Sequence, residues 1–229
     1  MSLANRFPRL TKVQILVYIA GLSPLVWLLY DFITGNLTVN PIQAATLRTG
    51  KAALVFLILS LACTPLNTVF GFKPAIKVRR ALGLYAFFYA SLHFLIFVGV
   101  DYGFDTVLLQ EAIFEKRYAL VGFFAFLILF SLAITSTRGW MKRLGKNWLK
   151  LHKLVYLAGL LVIVHYVWLV KSDIRIPILY GLLVVILLVL RLPIIRRRFA
   201  NHSFAKAVNR YWKSMHIGFR RETDSPQGS

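Results

Sequence analysis

The chain has 229 residues, 58% apolar and only 16% charged, and its 28 Lys+Arg against 8 Asp+Glu leave a net charge of +20. A mean hydropathy of +0.67 excludes disorder, which needs low hydrophobicity, and excludes a water-soluble globular domain, which carries about 25% charged residues. A polytopic membrane protein with basic loops satisfies both numbers, and the positive charge then calls for no nucleic acid.

Residues 1–12 read as a short basic N-terminus. The first apolar run, 13–30, has no small-residue cleavage site and reads as a retained anchor. Further runs free of Asp, Glu, Lys and Arg follow at 52–72, 81–100, 118–137, 154–170 and 176–190; the six lengths are 18, 21, 20, 20, 17 and 15 residues. About 20 helical residues cross about 30 Å of hydrocarbon. The first five runs meet that length, and the sixth needs Arg191 as a snorkelling end or an extension to Ile195. The runs are continuous rather than alternating, which selects helices over a barrel. The expected fold is an all-α polytopic bundle of six transmembrane helices over 13–195. A basic tail, 196–229, carries His202, His216 and an amphipathic stretch, FAKAVNRYWKSMHIGF, suited to lying on a membrane surface.

Six spans return both termini to one side. That side collects 22 basic residues against Glu222 and Asp224, while the other holds six basic and six acidic residues. The whole net charge lies on one face, which the positive-inside rule makes cytoplasmic. Anionic lipid is the partner this charge predicts, and a multi-pass protein of the cell (inner) membrane is the expected setting.

Cys63, the only cysteine, rules out a disulfide framework or a cysteine-rich metal site. Ionisable residues inside spans are functional candidates, and the spans hold His93 and His165, with His152 at the inner edge of the fifth. His93 stands 12 residues into its span and His165 stands 13 beyond His152, which is about 18 and about 20 Å from the basic side. Two imidazoles at one depth suit axial ligation of a single metal, and in a bilayer the fitting group is haem. The competing reading is a pair of neutral histidines bonded across helices. His152 lies at the level of a second, inner haem. Thirteen residues of ideal helix would leave it about 140° from His165, so a local distortion, or haems approaching from different sides, is required. The third span offers Arg79 and Arg80 at that level. Arginine cannot ligate iron, but it can pair with a haem propionate, a phosphate or a quinone oxygen.

These residues carry a family pattern. The segments TGKAALVFLILSLACTPL from Thr49, RRALGLYAFFYASLH from Arg79, RYALVG from Arg117, LAITS from Leu132, LGKNWLKLHKLVY from Leu144 and HYVW from His165 resemble the MsrQ (YedZ) family. That family supplies the haem-binding membrane subunit of the periplasmic methionine-sulfoxide reductase system, within the ferric-reductase-like transmembrane group. The resemblance implies haem b held by His93 and His165, with His152 as a further ligand candidate. It implies an electron wire from the quinone pool, or from a cytoplasmic flavin reductase, to a molybdopterin-containing methionine-sulfoxide reductase outside. It also implies FMN, for which no residues can be named. The group's four-histidine, two-haem pattern departs here at Arg79 and Arg80. The rival readings are a stand-alone ferric-reductase or NADPH-oxidase core, which calls for a flavin and nucleotide domain, and a small transporter or channel. The latter calls for helices broken at Pro24, Pro65 or Pro177, or for intramembrane acids.

Overall fold

The computed structural model describes residues 10–170, 173–193 and 195. The expected features of the tail, including His202 and His216, and of the N-terminus before residue 10 lie outside the described residues. The described chain is helical: α1 (Lys12–Ile33), α2 (Pro41–Phe70), α3 (Pro74–Leu95), α4 (Thr106–Glu115), α5 (Arg117–Ile134), α6 (Arg138–Leu144), α7 (Lys146–His152), α8 (Leu154–Leu169) and α9 (Arg175–Val189). A six-residue π-helical segment, Ile96–Asp101, prolongs α3 three residues after His93, and such segments recur at functional sites.

Local signals set the helix ends. Thr11 and Gln14 form a reciprocal capping box at the start of α1. Asn40 caps Gln43 N–H ahead of Pro41, and Gly71 closes α2 in the left-handed conformation at φ 69°. Asp105 accepts from the Val107 and Leu108 amides at the start of α4. Two helices outrun the charge-free windows. α3 begins at Pro74, so Lys77, Arg79 and Arg80 are helical. α2 begins at Pro41, so it carries Arg48, which pairs with the buried Asp31 at the end of α1. The pairing neutralises both charges where they enter the apolar zone. A segment expected as loop therefore contains about three turns of helix.

Five helical stretches are long and apolar enough to cross a membrane: Lys12–Ile33, Pro41–Phe70, Pro74–Asp101, Arg117–Ile134 and Lys146–Leu169. The chain is a multi-pass membrane protein. The sixth expected segment forms the apolar α9, whose 15 residues measure about 22 Å.

Contacts give the directions. α2 and α3 are antiparallel, with Thr46 against His93 at one end and Ser60 against Arg79 at the other. α5 and α8 are antiparallel likewise, with Tyr118 against His165 and Thr135 against His152. The two pairs meet through a wall of rings from α3 and α5, where Phe94 stacks on Phe126 at 4.8 Å and Phe87 lies 6.0 Å from both Phe126 and Phe130. The core runs through α2, α3, α8 and α9 and contains Leu57, Leu61, Ala86, Tyr89, Ala158 and Val184. Large apolar residues left exposed along α1 and α9 are the lipid-facing surface.

Proline does not break these helices. Pro24 lies inside α1 and Pro65 inside α2, and each removes a donor from a carbonyl four residues earlier. Ala20 O receives the Ser23 hydroxyl instead, at 2.9 Å. One turn along, the Tyr89 hydroxyl accepts from Leu25 N–H at 3.1 Å and donates to Gly21 O at 2.8 Å. It has entered the backbone ladder of α1. The Leu61 carbonyl freed by Pro65 receives Arg191 Nη2 at 2.6 Å. A snorkelling Arg191 is one of the two ends expected for the sixth span. Instead it turns inward and also donates to the Tyr156 hydroxyl, because a carbonyl without a helical donor offers the guanidinium a partner inside the core.

Candidate functional site

The bundle brings His93 of α3 and His165 of α8 together, with ring centroids 6.2 Å apart and planes 85° apart. Each ring is tied at its far side. His93 Nδ1 lies 2.8 Å from Thr46 O on α2, and His165 Nδ1 lies 2.8 Å from Tyr118 O on α5. A carbonyl can only accept, so both Nδ1 atoms carry the proton and both Nε2 atoms keep a free lone pair. This is the tautomer of a metal-binding imidazole, whose other N–H is usually given to a carbonyl or carboxylate. Each ring also lies against a glycine. A Cβ on Gly50 would stand 2.9 Å from His93 Nδ1, and one on Gly122 would stand 2.7 Å from His165 Nδ1.

The two half-sites are copies. Thr46, Gly50 and His93 are spaced as Tyr118, Gly122 and His165 are, 72 residues later. Ala86 and Ala158, both fully buried, stand seven residues before their histidines and belong to the same register.

The residues fit a haem. Transition-metal–imidazole bonds are about 2 Å long and a ring nitrogen lies about 1.1 Å from its ring centre, so two imidazoles on opposite sides of one iron have centroids about 6.2 Å apart. Among the described residues no group of three or more His, Cys, Asp or Glu gathers. A two-imidazole set suits a metal whose equatorial positions a macrocycle fills.

The second level lies at the other end of the same helices. His152 ends α7, and Lys153 forms a tightened turn, with Lys153 N–H bonded to Lys150 O at 3.2 Å and Tyr156 N–H to Lys153 O at 3.0 Å. The ideal helix phase between His152 and His165 is therefore interrupted. His152 stacks on Trp148 at 4.1 Å, and its Nε2 lies 3.3 Å from Thr135 Oγ1. That hydroxyl already donates to Ser131 O at 2.6 Å, so His152 Nε2 is the donor and Nδ1 is its free nitrogen. Arg79 is half-buried and Arg80 exposed. Arg79 lies within electrostatic reach of His152, Arg191 and Cys63, so of the two arginines it is the one turned toward this cluster. Cys63 itself is buried and bonded to Leu59 O.

Sequence reasoning found the histidines by depth. It missed Thr46, Gly50 and Tyr118. The signal available was the repeated 43-residue spacing from glycine to histidine. It also missed Arg191 as a core residue, for which the hint was Pro65 four residues beyond Leu61.

The chain matches the family described as "Ferric reductase like transmembrane component" over residues 49–163. It is 43% identical over 187 residues to a protein of Rhodospirillum rubrum, covering 81% of this chain and 90% of the relative. A Xanthomonas euvesicatoria relative is 47% identical over 180 residues, covering 75% and 82%. A Herminiimonas arsenicoxydans relative is 43% identical over 187 residues, covering 80% and 86%. Each bears the name protein-methionine-sulfoxide reductase heme-binding subunit MsrQ.

Proposed function

We propose that this chain, which belongs to the ferric reductase like transmembrane family and within it to the MsrQ heme-binding subunits, carries electrons through the membrane by way of haem held between His93 and His165. The observation that carries the reading is the pair of δ-protonated imidazoles at the spacing of a bis-ligated iron. Bound haem supplies one-electron redox chemistry without ion movement through the hydrocarbon. The protein's own part is orientation and insulation. Thr46 O and Tyr118 O fix the tautomers, Gly50 and Gly122 admit the rings, and the phenylalanine wall of α3 and α5 keeps water from one side of the site. The substrate bond is broken on the partner.

The finer reading runs as follows. The haem is of b type. A second one is held on the basic side by His152, with Arg79, and Arg80 beyond it, pairing with its propionates. Six spans put both termini in the cytoplasm, in a bacterial inner membrane. Electrons enter on the basic side from the quinone pool or a cytoplasmic flavin reductase, and leave to a periplasmic molybdopterin methionine-sulfoxide reductase. FMN is a further cargo, supported only by the family resemblance. The charge asymmetry supports the orientation, because six spans would gather all of the net +20 on the side of Arg79 and His152.

The test is a reduced-minus-oxidised visible spectrum of the detergent-purified chain, with haem and flavin content measured after extraction. His93→Ala and His165→Ala are each expected to remove the same haem component, and His152→Ala a different one. Full haem in both of the first two variants refutes the ligand assignment.

A further inference from the structure

We infer that Gly50 and Gly122 are positioning residues that hold the two imidazoles in crossed planes, and so set the electronic state of the iron between them. This deepens the haem reading above and rests on it. A Cβ at Gly50 would meet His93 Nδ1 at 2.9 Å and Cε1 at 3.1 Å; one at Gly122 would meet His165 Nδ1 at 2.7 Å and Cε1 at 2.8 Å. At both positions all three nearest atoms belong to the histidine ring. The ring cannot simply swing aside, because its Nδ1–H is bonded at 2.8 Å to the carbonyl four residues earlier on the same helix. Each imidazole is thus seated on one helical turn, with a carbonyl at one end and a missing side chain at the other.

Two facts set these glycines apart from ordinary close packing. Glycine is a poor residue for a helix interior, yet it stands at the same register in both copies of the half-site, 43 residues before the histidine each time. The other helical glycines with recorded neighbours face no histidine: Gly21 meets Tyr85, Gly83 meets Ser60, Gly99 meets Phe104, Gly159 meets Leu61 and Val184, and Gly181 meets Ile163.

The two seats belong to different helix pairs, and they leave the ring planes at 85°. In a low-spin ferric haem with two imidazole ligands, crossed planes keep the two dπ orbitals nearly degenerate and give a large-gmax EPR signal. Parallel planes split those orbitals and give a rhombic signal. Ligand orientation set by outer residues is a recognised lever on a metal centre. A methyl group at either glycine must push the ring off its carbonyl, and then the plane rotates or the iron–nitrogen bond is lost.

The full chain is purified in detergent with the haem it acquires in the cell, and ferric EPR spectra and haem-to-protein ratios are recorded. The outer-haem signal is the one missing from His93→Ala. It is expected to be of the large-gmax kind in the wild type and in Gly83→Ala, whose Cβ meets only Ser60 Oγ at 3.4 Å. In Gly50→Ala and Gly122→Ala it is expected to give way to a high-spin or rhombic signal. A rhombic outer haem in the wild type overturns the inference, as does a wild-type signal in both glycine variants. If Gly50→Ala fails to accumulate, Gly50→Ala/His93→Ala decides. Accumulation equal to His93→Ala alone shows that the added methyl clashes with the ring, and failure of the double variant overturns the assignment. Full haem in His93→Ala and His165→Ala defeats the haem reading itself, and the role of the glycines falls with it.

Discussion

Arg191 measures how this bundle treats polar groups inside an apolar core. Pro65 leaves the Leu61 carbonyl without its helical donor, and Leu61 is 1% exposed, so water cannot replace it. Arg191 Nη2 donates to that carbonyl at 2.6 Å, Nη1 donates to the Tyr156 hydroxyl at 3.1 Å, and the guanidinium lies 5.1 Å from the Tyr156 ring centre. Its Nε is buried with no hydrogen-bond partner among the described residues. In Arg191→Met the charge-assisted bonds are lost, at about 1.5–3 kcal/mol each, with a cation–π contact of about 0.5–2 kcal/mol. The same change relieves a desolvation cost of several kcal/mol for the guanidinium. These two effects largely offset. What remains is the orphaned carbonyl, about 1–3 kcal/mol. Pro65→Ala restores an N–H to that carbonyl and cancels the remainder. Arg191→Met is therefore expected to cost about 2 kcal/mol beside Pro65 and about 0–1 kcal/mol beside Ala at that position, a coupling of about 1–2 kcal/mol. Reversible unfolding of the four proteins in mixed detergent–SDS micelles gives the cycle. Equal costs in the two backgrounds refute the argument that Arg191 is there for the carbonyl Pro65 releases.

Tyr89→Phe removes a hydroxyl that both accepts from Leu25 N–H and donates to Gly21 O, taking that partner from the buried Gly21 carbonyl and the half-buried Leu25 amide of α1. It is expected to cost about 2 kcal/mol in the same unfolding assay. Tyr85→Phe loses one exposed bond to Tyr18 O and is expected to cost less than about 1 kcal/mol; the reverse order contradicts the ladder-insertion account of α1. On the side opposite the basic loops, the Tyr102 hydroxyl accepts from Lys116 Nζ at 2.8 Å and holds that ammonium above the ordinary lysine range. The charged form is favoured in the folded state. The stabilisation is therefore complete below the ordinary lysine pKa and is lost as pH rises through the raised one. Stability of the wild type is expected to fall more steeply than that of Tyr102→Phe above about pH 10.5, and parallel pH profiles for the two proteins count against the bond.

The spans were legible because charge is excluded from them. Runs 118–137 and 154–170 lie within a few residues of α5 and α8. Legibility failed where a charge inside the apolar zone has a partner from another helix. Arg48 meets Asp31, and α2 starts 11 residues before the charge-free run; Arg191 meets Leu61 O and Tyr156, and turns inward rather than out. A window of hydropathy counts each of these as a boundary, since pairing is a tertiary property that no window contains. The prolines are likewise decided by tertiary contacts. Pro24 and Pro65 mark candidate breaks when read alone, yet Ser23, Tyr89 and Arg191 supply the donors that keep α1 and α2 continuous.

The candidate site divides along the same line. Depth along a helix is fixed by residue count, so the common level of His93 and His165 could be read from the sequence. Which way each ring faces depends on the helix beside it. The seat for His93 is provided by α2 and the seat for His165 by α5, each within its own antiparallel pair. Each half-site is thus finished by contacts inside one pair, and the only long-range requirement is that the two pairs meet. The stacked rings of Phe87, Phe94, Phe126 and Phe130 set that meeting. A change in this wall moves one finished half-site against the other and leaves both carbonyl bonds intact. A change at Gly50 or Gly122 breaks a seat and leaves the distance between the pairs unchanged. Phe126→Ala should therefore alter how much haem is retained while leaving the EPR type of the retained fraction as it was, whereas the glycine variants should alter the type. The same phenotype from both classes would mean that orientation and separation are not independently built.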